Sequence, residues 1–222
     1  HGIQLKSGRL LVPVWISTGT GSGGHRPSVT ATIFSDDGGS SWHSGEIAFP
    51  NSREWVNPSE AMLVELSDGQ VMMNGRTESR ASRRLVTTSP DGATQWAQPH
   101  FDEALGEPVC MGSITRLSVE PRKSRILFSN PDNLSKSSSE EKSVSGARKN
   151  LSIKLSYDEA KTWPVNKVLE PGFSAYSDLA VLPHGTILCL FERGAGRVDF
   201  LTLARFNLEW LTDGKDSYET ST

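Results

Sequence analysis

Apolar and polar residues alternate along most of the chain in runs of five to eight, with turn residues between them. That period of two is the signature of half-buried β-strands, and helical periodicity is scarce. The alternation predicts strands over Arg9–Trp15, Val29–Ser35, Ala61–Leu66, Gln70–Asn74, Arg84–Ser89, Ser113–Ser118, Arg125–Asn130, Leu151–Ser156, Ser177–Leu182, Thr186–Glu192 and Phe200–Asn207. Asp68-Gly69 and His184-Gly185 join neighbouring strands as hairpin turns, and Lys6-Ser7-Gly8 resembles them. Phe206–Leu211 can close the chain as a strand or as a short helical turn. Ser135–Ala147 is polar and poor in apolar residues, which predicts a solvated loop.

One phrase occurs three times. It reads Ser35-Asp36-Asp37-Gly38-Gly39-Ser40-Ser41-Trp42, then Ser89-Pro90-Asp91-Gly92-Ala93-Thr94-Gln95-Trp96, then Ser156-Tyr157-Asp158-Glu159-Ala160-Lys161-Thr162-Trp163. The shared skeleton is Ser-x-Asp-x-Gly/Ala-x-x-Trp, and a recurrence of roughly 50 residues marks a solenoid, a propeller or an array. The phrase suits a hairpin turn: the Asp accepts hydrogen bonds from its own turn, small residues tolerate the tight backbone, and the Trp packs under it. Its role is structural. The skeleton resembles the Asp-box, or BNR repeat, of the β-propellers of sialidases and of several non-enzymatic propellers. The resemblance implies an all-β propeller of four-stranded antiparallel blades with Asp-box hairpins. Blades are expected near residues 1–50, 57–107, 110–170 and 174–210, about four of six, with 1–222 forming one partial domain.

Composition narrows the function. The formal net charge is −3, from 23 basic and 26 acidic residues, and the basic residues are dispersed apart from short groups such as Arg80, Arg83 and Arg84. Nothing in this balance argues for nucleic acid. No run of about 18 apolar residues is present, so no membrane span is expected. Cys110 and Cys189 both lie in apolar runs and read as buried free thiols. The five histidines, at 1, 25, 43, 100 and 184, show no ligand spacing, so no metal and no cofactor is expected.

Three segments between the repeats resemble the catalytic segments of exo-α-sialidases. In Ser59-Glu60-Ala61-Met62, followed by Met73-Asn74-Gly75-Arg76, the resemblance makes Glu60 the partner of the catalytic nucleophile and Arg76 a ligand of the substrate carboxylate. Many sialidases carry Asn before that Glu and Gln two places after it, where this chain has Ser59 and Met62. In Gly146-Ala147-Arg148-Lys149-Asn150 the next carboxylate-binding arginine falls at Arg148, with Lys149 its nearest rival. In Phe173-Ser174-Ala175-Tyr176-Ser177 the nucleophile falls at Tyr176, and Glu192 matches a carboxylate that braces the arginines. Each residue also has a plain structural reading: Glu60 as an exposed residue before a strand, Arg148 as solvated charge, Tyr176 as a strand-start aromatic.

The chemistry explains the residue types. Sialic acid carries a carboxylate on its anomeric carbon, which arginines bind through charge-assisted hydrogen bonds. A neutral phenol avoids the repulsion that an anionic nucleophile would meet, and a nearby carboxylate can take its proton. Sialidases with a Tyr nucleophile are a known exception among glycosidases that use two carboxylates. The resemblance therefore implies release of terminal α-linked sialic acid from a glycan, glycoprotein or glycolipid, with retention through a tyrosyl intermediate. It also implies a further Arg, in an Arg-Ile-Pro-like motif, and an acid/base Asp, and this chain has neither. The chain is thus expected to be a fragment, inactive alone, of an enzyme suited to a secreted or cell-envelope location. The alternatives are a non-catalytic Asp-box propeller that binds or scaffolds, a related propeller glycosidase, or a trans-sialidase. A trans-sialidase would need acceptor-site aromatics, for which Trp55 and Phe173 are the candidates.

Overall fold

The computed structural model describes residues 1–20, 24–119, 123–135 and 147–218, and most of the loop expected over 135–147 lies outside them. The described residues form two compact units, one over His1–Val109 and one over Cys110–Ser135 and Ala147–Thr222. Every sheet is antiparallel, as the alternation predicts.

The first unit holds two four-stranded meanders. One runs β1 (Ile3–Gln4), β2 (Leu10–Ser17), β3 (Ser28–Ser35) and β4 (His43–Phe49) in spatial order. The other runs β5 (Ala61–Glu65), β6 (Val71–Gly75), β7 (Arg83–Ser89) and β8 (His100–Gly106). Leu5, Leu11, Ala48 and Phe49 of the first meander pack with Leu63, Val71, Met73 and Leu85 of the second. Arg84, which reads in sequence as part of a surface charge group, is fully buried on β7 in phase with Val86. It pairs with Glu107 at 2.5 Å and donates from Nε to Asn74 Oδ1 at 2.7 Å.

The second unit is one six-stranded sheet, in the order β14 (Phe200–Phe206), β13 (Ile187–Gly194), β12 (Val165–Val181), β11 (Lys149–Ser156), β10 (Arg125–Pro131) and β9 (Ser113–Ser118). Its 17-residue strand β12 pairs with β11 through its first part and with β13 through its second. The sequence shows only the second part, because Val165–Glu170 alternates between half-buried and exposed positions and lacks an apolar face. Strands β4 and β8 are likewise missing from the alternation: five of the seven residues in each are exposed or half-buried. The chain closes on the helical turn α1 (Leu208–Leu211), capped by Asn207, whose side chain accepts from Trp210 N. Both cysteines are buried free thiols, and burial, with Asp178 nearby, pushes the Cys189 thiol up to about 12.

All three repeats build the same turn. Asp37, Asp91 and Asp158 each sit 2.8–3.0 Å from the hydroxyl of the repeat's Ser and accept from the backbone and hydroxyl of the residue at its seventh or sixth place. Trp42 is largely exposed and donates to Gly39 O, whereas Trp96 packs on the core of the first unit and Trp163 against Phe128. Gly92 has φ +74°, and a Cβ there would lie 2.4 Å from Leu11 Cδ1. Gly92→Ala combines left-handed strain with overpacking and is expected to cost about 2–4 kcal/mol, read by chemical denaturation.

Partial burial would raise the Asp91 carboxyl, but four hydrogen bonds from Thr94, Ala93 and Ser89 outweigh it and hold the group at about 2. A depressed carboxylate contributes stability that is complete above its unfolded value, about 4, and is lost as pH falls toward 2. Asp91→Asn, which cannot ionise, is expected to flatten the acid limb of the stability curve between those values.

Candidate active site

The predicted site residues divide between the two units. In the first, the turn at Asp68-Gly69 is closed by Leu66 N to Gln70 O at 2.7 Å. That turn fixes Ala61 opposite Gly75, and one step further Glu60 opposite Arg76. The backbone pairing continues there, with Arg76 N donating to Glu60 O at 2.9 Å and Ser59 N to Arg76 O at 3.0 Å. The side chains meet on the same face: Arg76 Nη1 lies 2.6 Å from Glu60 Oε2, both partly buried. One pleat below, Met62 and Asn74 face each other, and Asn74 leads to the buried Arg84–Glu107 pair. The ion pair therefore stands on a rigid floor.

In the second unit β12 breaks register with both of its neighbours, on either side of Phe173 and Ser174. Against β11 the break falls between Phe173 and Glu170, opposite Lys149 and Leu151, with Asn150 at φ +58°. Against β13 it falls between Ser174 and Ser177, which puts Ala175 and Tyr176 in a bulge facing Glu192 of β13. A bulge re-aims the side chains it carries. Here the Arg148 guanidinium comes to lie 5.6 Å from the centre of the Tyr176 ring, and both side chains are half-buried. Tyr176 N donates to Glu192 Oε2 at 3.0 Å. Within its unit Glu192 thus holds the backbone of the tyrosine. Lys149, the rival of Arg148, is exposed at the start of β11.

Sequence reasoning passed over Ser174. It is fully buried, and its N–H donates to Arg148 O at 3.2 Å while its Oγ accepts from Leu151 N at 3.1 Å. Its only signal in the sequence is its place two residues before Tyr176. Of the rim aromatics, Trp55 packs against the core of the first unit, and Phe173 is paired across the sheet with both Lys149 and Gly194. Among the described residues no three His, Cys, Asp or Glu side chains gather as a metal site, and no helix is long and apolar enough to cross a membrane.

A family model described as a BNR repeat-like domain matches residues 1–189. The chain belongs to the BNR repeat-like family. Among relatives of this BNR chain, a sialidase of Micromonospora viridifaciens is 34% identical over 220 residues, covering 95% of this chain and 30% of the relative. A sialidase of Bacteroides fragilis is 29% identical over 206 residues, covering 90% of this chain and 34% of the relative. The BNR chain thus spans about a third of the length of these curated relatives. Among solved structures, the Hadza microbial sialidase Hz136 matches 95% of this chain and 37% of its own, at 29% identity and a TM-score of 0.76. A leech intramolecular trans-sialidase matches 96% of this chain and 32% of its own, at 21% identity and a TM-score of 0.71, a likeness of fold alone. With sheets of this kind and these neighbours, the BNR chain has the all-β propeller fold expected from its repeats.

Proposed function

We propose that this chain is the part of an exo-α-sialidase that supplies the nucleophile and two of the arginines for the substrate carboxylate. The observation that carries the reading is the double bulge, with Tyr176 held on Glu192 and faced by the Arg148 guanidinium. A packing aromatic needs neither a displaced register nor a carboxylate on its backbone. The 34% identity to a sialidase along nearly the whole chain supports the same reading.

In the proposed reaction, Arg76 and Arg148 bind the sialic acid carboxylate. Tyr176 Oη attacks the anomeric carbon as the bond to the aglycone oxygen breaks, and the phenolic proton passes to Glu60, as the resemblance assigns. The departing oxygen takes a proton from an acid outside this chain, the role filled by an Asp in sialidases. Water then attacks the same carbon, giving its proton to the external acid that has become a base; the bond to Tyr176 breaks, and the proton held on Glu60 restores the phenol. Two displacements at one carbon give retention. The expected substrates are sialylated glycans, glycoproteins or glycolipids.

The test is hydrolysis of a fluorogenic α-sialoside by the whole protein that carries this chain, with the anomer of the first-formed sugar read by proton NMR. Free α-sialic acid is the expected first product. A β-anomer would overturn the tyrosyl intermediate. A folded protein that releases no sugar would favour a non-catalytic binding module, and transfer to an added acceptor would favour a trans-sialidase.

A further inference from the structure

A strand that slips register against both neighbours, as β12 does on either side of Phe173 and Ser174, leaves backbone groups without ladder partners, and such groups must be satisfied some other way. Against β11 the slip opposite Asn150 takes Leu151 N out of the ladder, and Ser174 Oγ accepts it at 3.1 Å. Against β13 the slip takes Tyr176 N out of the ladder, and Glu192 Oε2 accepts it at 3.0 Å. Ser174 does more than cap. Its own N–H holds Arg148 O at 3.2 Å, so the same residue grips β11 on both sides of Asn150, at Arg148 and at Leu151. Two residues later the chain reaches Tyr176. Ser174 is fully buried, so water cannot replace its hydroxyl.

We propose that Ser174 is a positioning residue that locks the placement of Arg148 to that of Tyr176, with Glu192 as the second fixture of the same clamp. Neither touches the reacting atoms. Ser174 sets how far the Arg148 backbone stands from β12, and Glu192 sets the tilt of the bulge that aims the phenol. The clamp holds the 5.6 Å approach of guanidinium to ring before any substrate arrives, which is how a preorganised site limits the motion needed for reaction. The functional value of the clamp rests on the sialidase reading, but its geometry does not.

Ser174→Ala, Glu192→Ala and Glu192→Gln in the whole protein test it. Hydrogen exchange read by mass spectrometry over peptides 147–152 and 173–178 reports the two register breaks without reference to activity. Ser174→Ala is expected to speed exchange in both peptides about tenfold, leaving the hairpin 61–75 unchanged. Glu192→Ala should speed only 173–178, and Glu192→Gln, whose amide oxygen can accept the same N–H, should restore it. Wild-type exchange over 147–152 in Ser174→Ala, or an even rise through the whole second unit, overturns the clamp. If Ser174→Ala does not fold, the Glu192 pair decides: no difference between Ala and Gln overturns it. In the hydrolysis assay, Ser174→Ala and Glu192→Ala are expected to lose roughly 10²-fold in kcat/KM, with Glu192→Gln recovering most of it. A wild-type protein without hydrolysis sinks the sialidase reading and leaves the exchange data to judge the clamp.

Discussion

Tyr176→Phe is expected to abolish sialoside hydrolysis by the whole protein, lowering kcat by on the order of 10³-fold or more while the fold survives. The change removes one oxygen and nothing else. The ring remains for the Arg148 guanidinium at 5.6 Å, and the bond from Tyr176 N to Glu192 is a backbone bond that Phe also makes. Stability should therefore move by no more than about 1.5 kcal/mol, the net worth of one hydrogen bond. Binding should also persist, because in the proposed reaction the carboxylate is held by arginines and not by the phenol. The expected pattern is a collapsed kcat with sialic acid affinity close to wild type, measured by assay and by calorimetry side by side. Full activity in Tyr176→Phe would remove the tyrosine from the chemistry and return it to the role of a strand-start aromatic.

The largest stability effect is expected beneath the Glu60–Arg76 pair, at Glu107→Ala. Arg84 and Glu107 are both fully buried, 2.5 Å apart, with Arg84 Nε also donating to Asn74. Two charges taken out of water offset each other only while both are present. Truncating Glu107 leaves a fully buried guanidinium without this carboxylate, at a cost of about 3–5 kcal/mol. Replacing both partners at once, as Arg84→Met with Glu107→Leu, should cost far less than Glu107→Ala alone, because no charge is stranded. Urea melts of the single and double variants check both statements. A single variant within about 1 kcal/mol of wild type would mean that water reaches the pair. Because Asn74 lies on the face that carries Glu60 and Arg76, Glu107→Ala should also loosen that ion pair.

Several of these features could be read directly from the residues, for physical reasons that differ from place to place. The Glu60–Arg76 pairing was legible because a short turn at Asp68-Gly69 sets the register of everything along its hairpin. The three repeats were legible because Ser, Asp and Trp are bound to one another within eight residues, so their chemistry is local. Strands β4 and β8 were not, since strands exposed on much of their surface carry no alternation. The burial of Arg84 was hidden because its partner lies 23 residues away, and a charged residue in phase with Val86 reads equally as surface. The register breaks opposite Asn150 and at Tyr176 were invisible for a deeper reason. Register is a relation between two strands, and neither strand carries it alone.

Strand β12 has a consequence for how such a molecule can change over generations. Repeat proteins gain and lose whole units most easily where a loop separates them, since a loop tolerates a cut or an insertion. Here Val165–Val181 serves β11 with one half and β13 with the other, and Phe173 is paired with both sides at once. A duplication that began or ended inside this strand would unpair two meanders together. The join between the third and fourth repeating units is therefore a weld where modular evolution would want a hinge. Recombination breakpoints between relatives should avoid it and fall instead in the connection around Val109 and Cys110, where one compact unit gives way to the next.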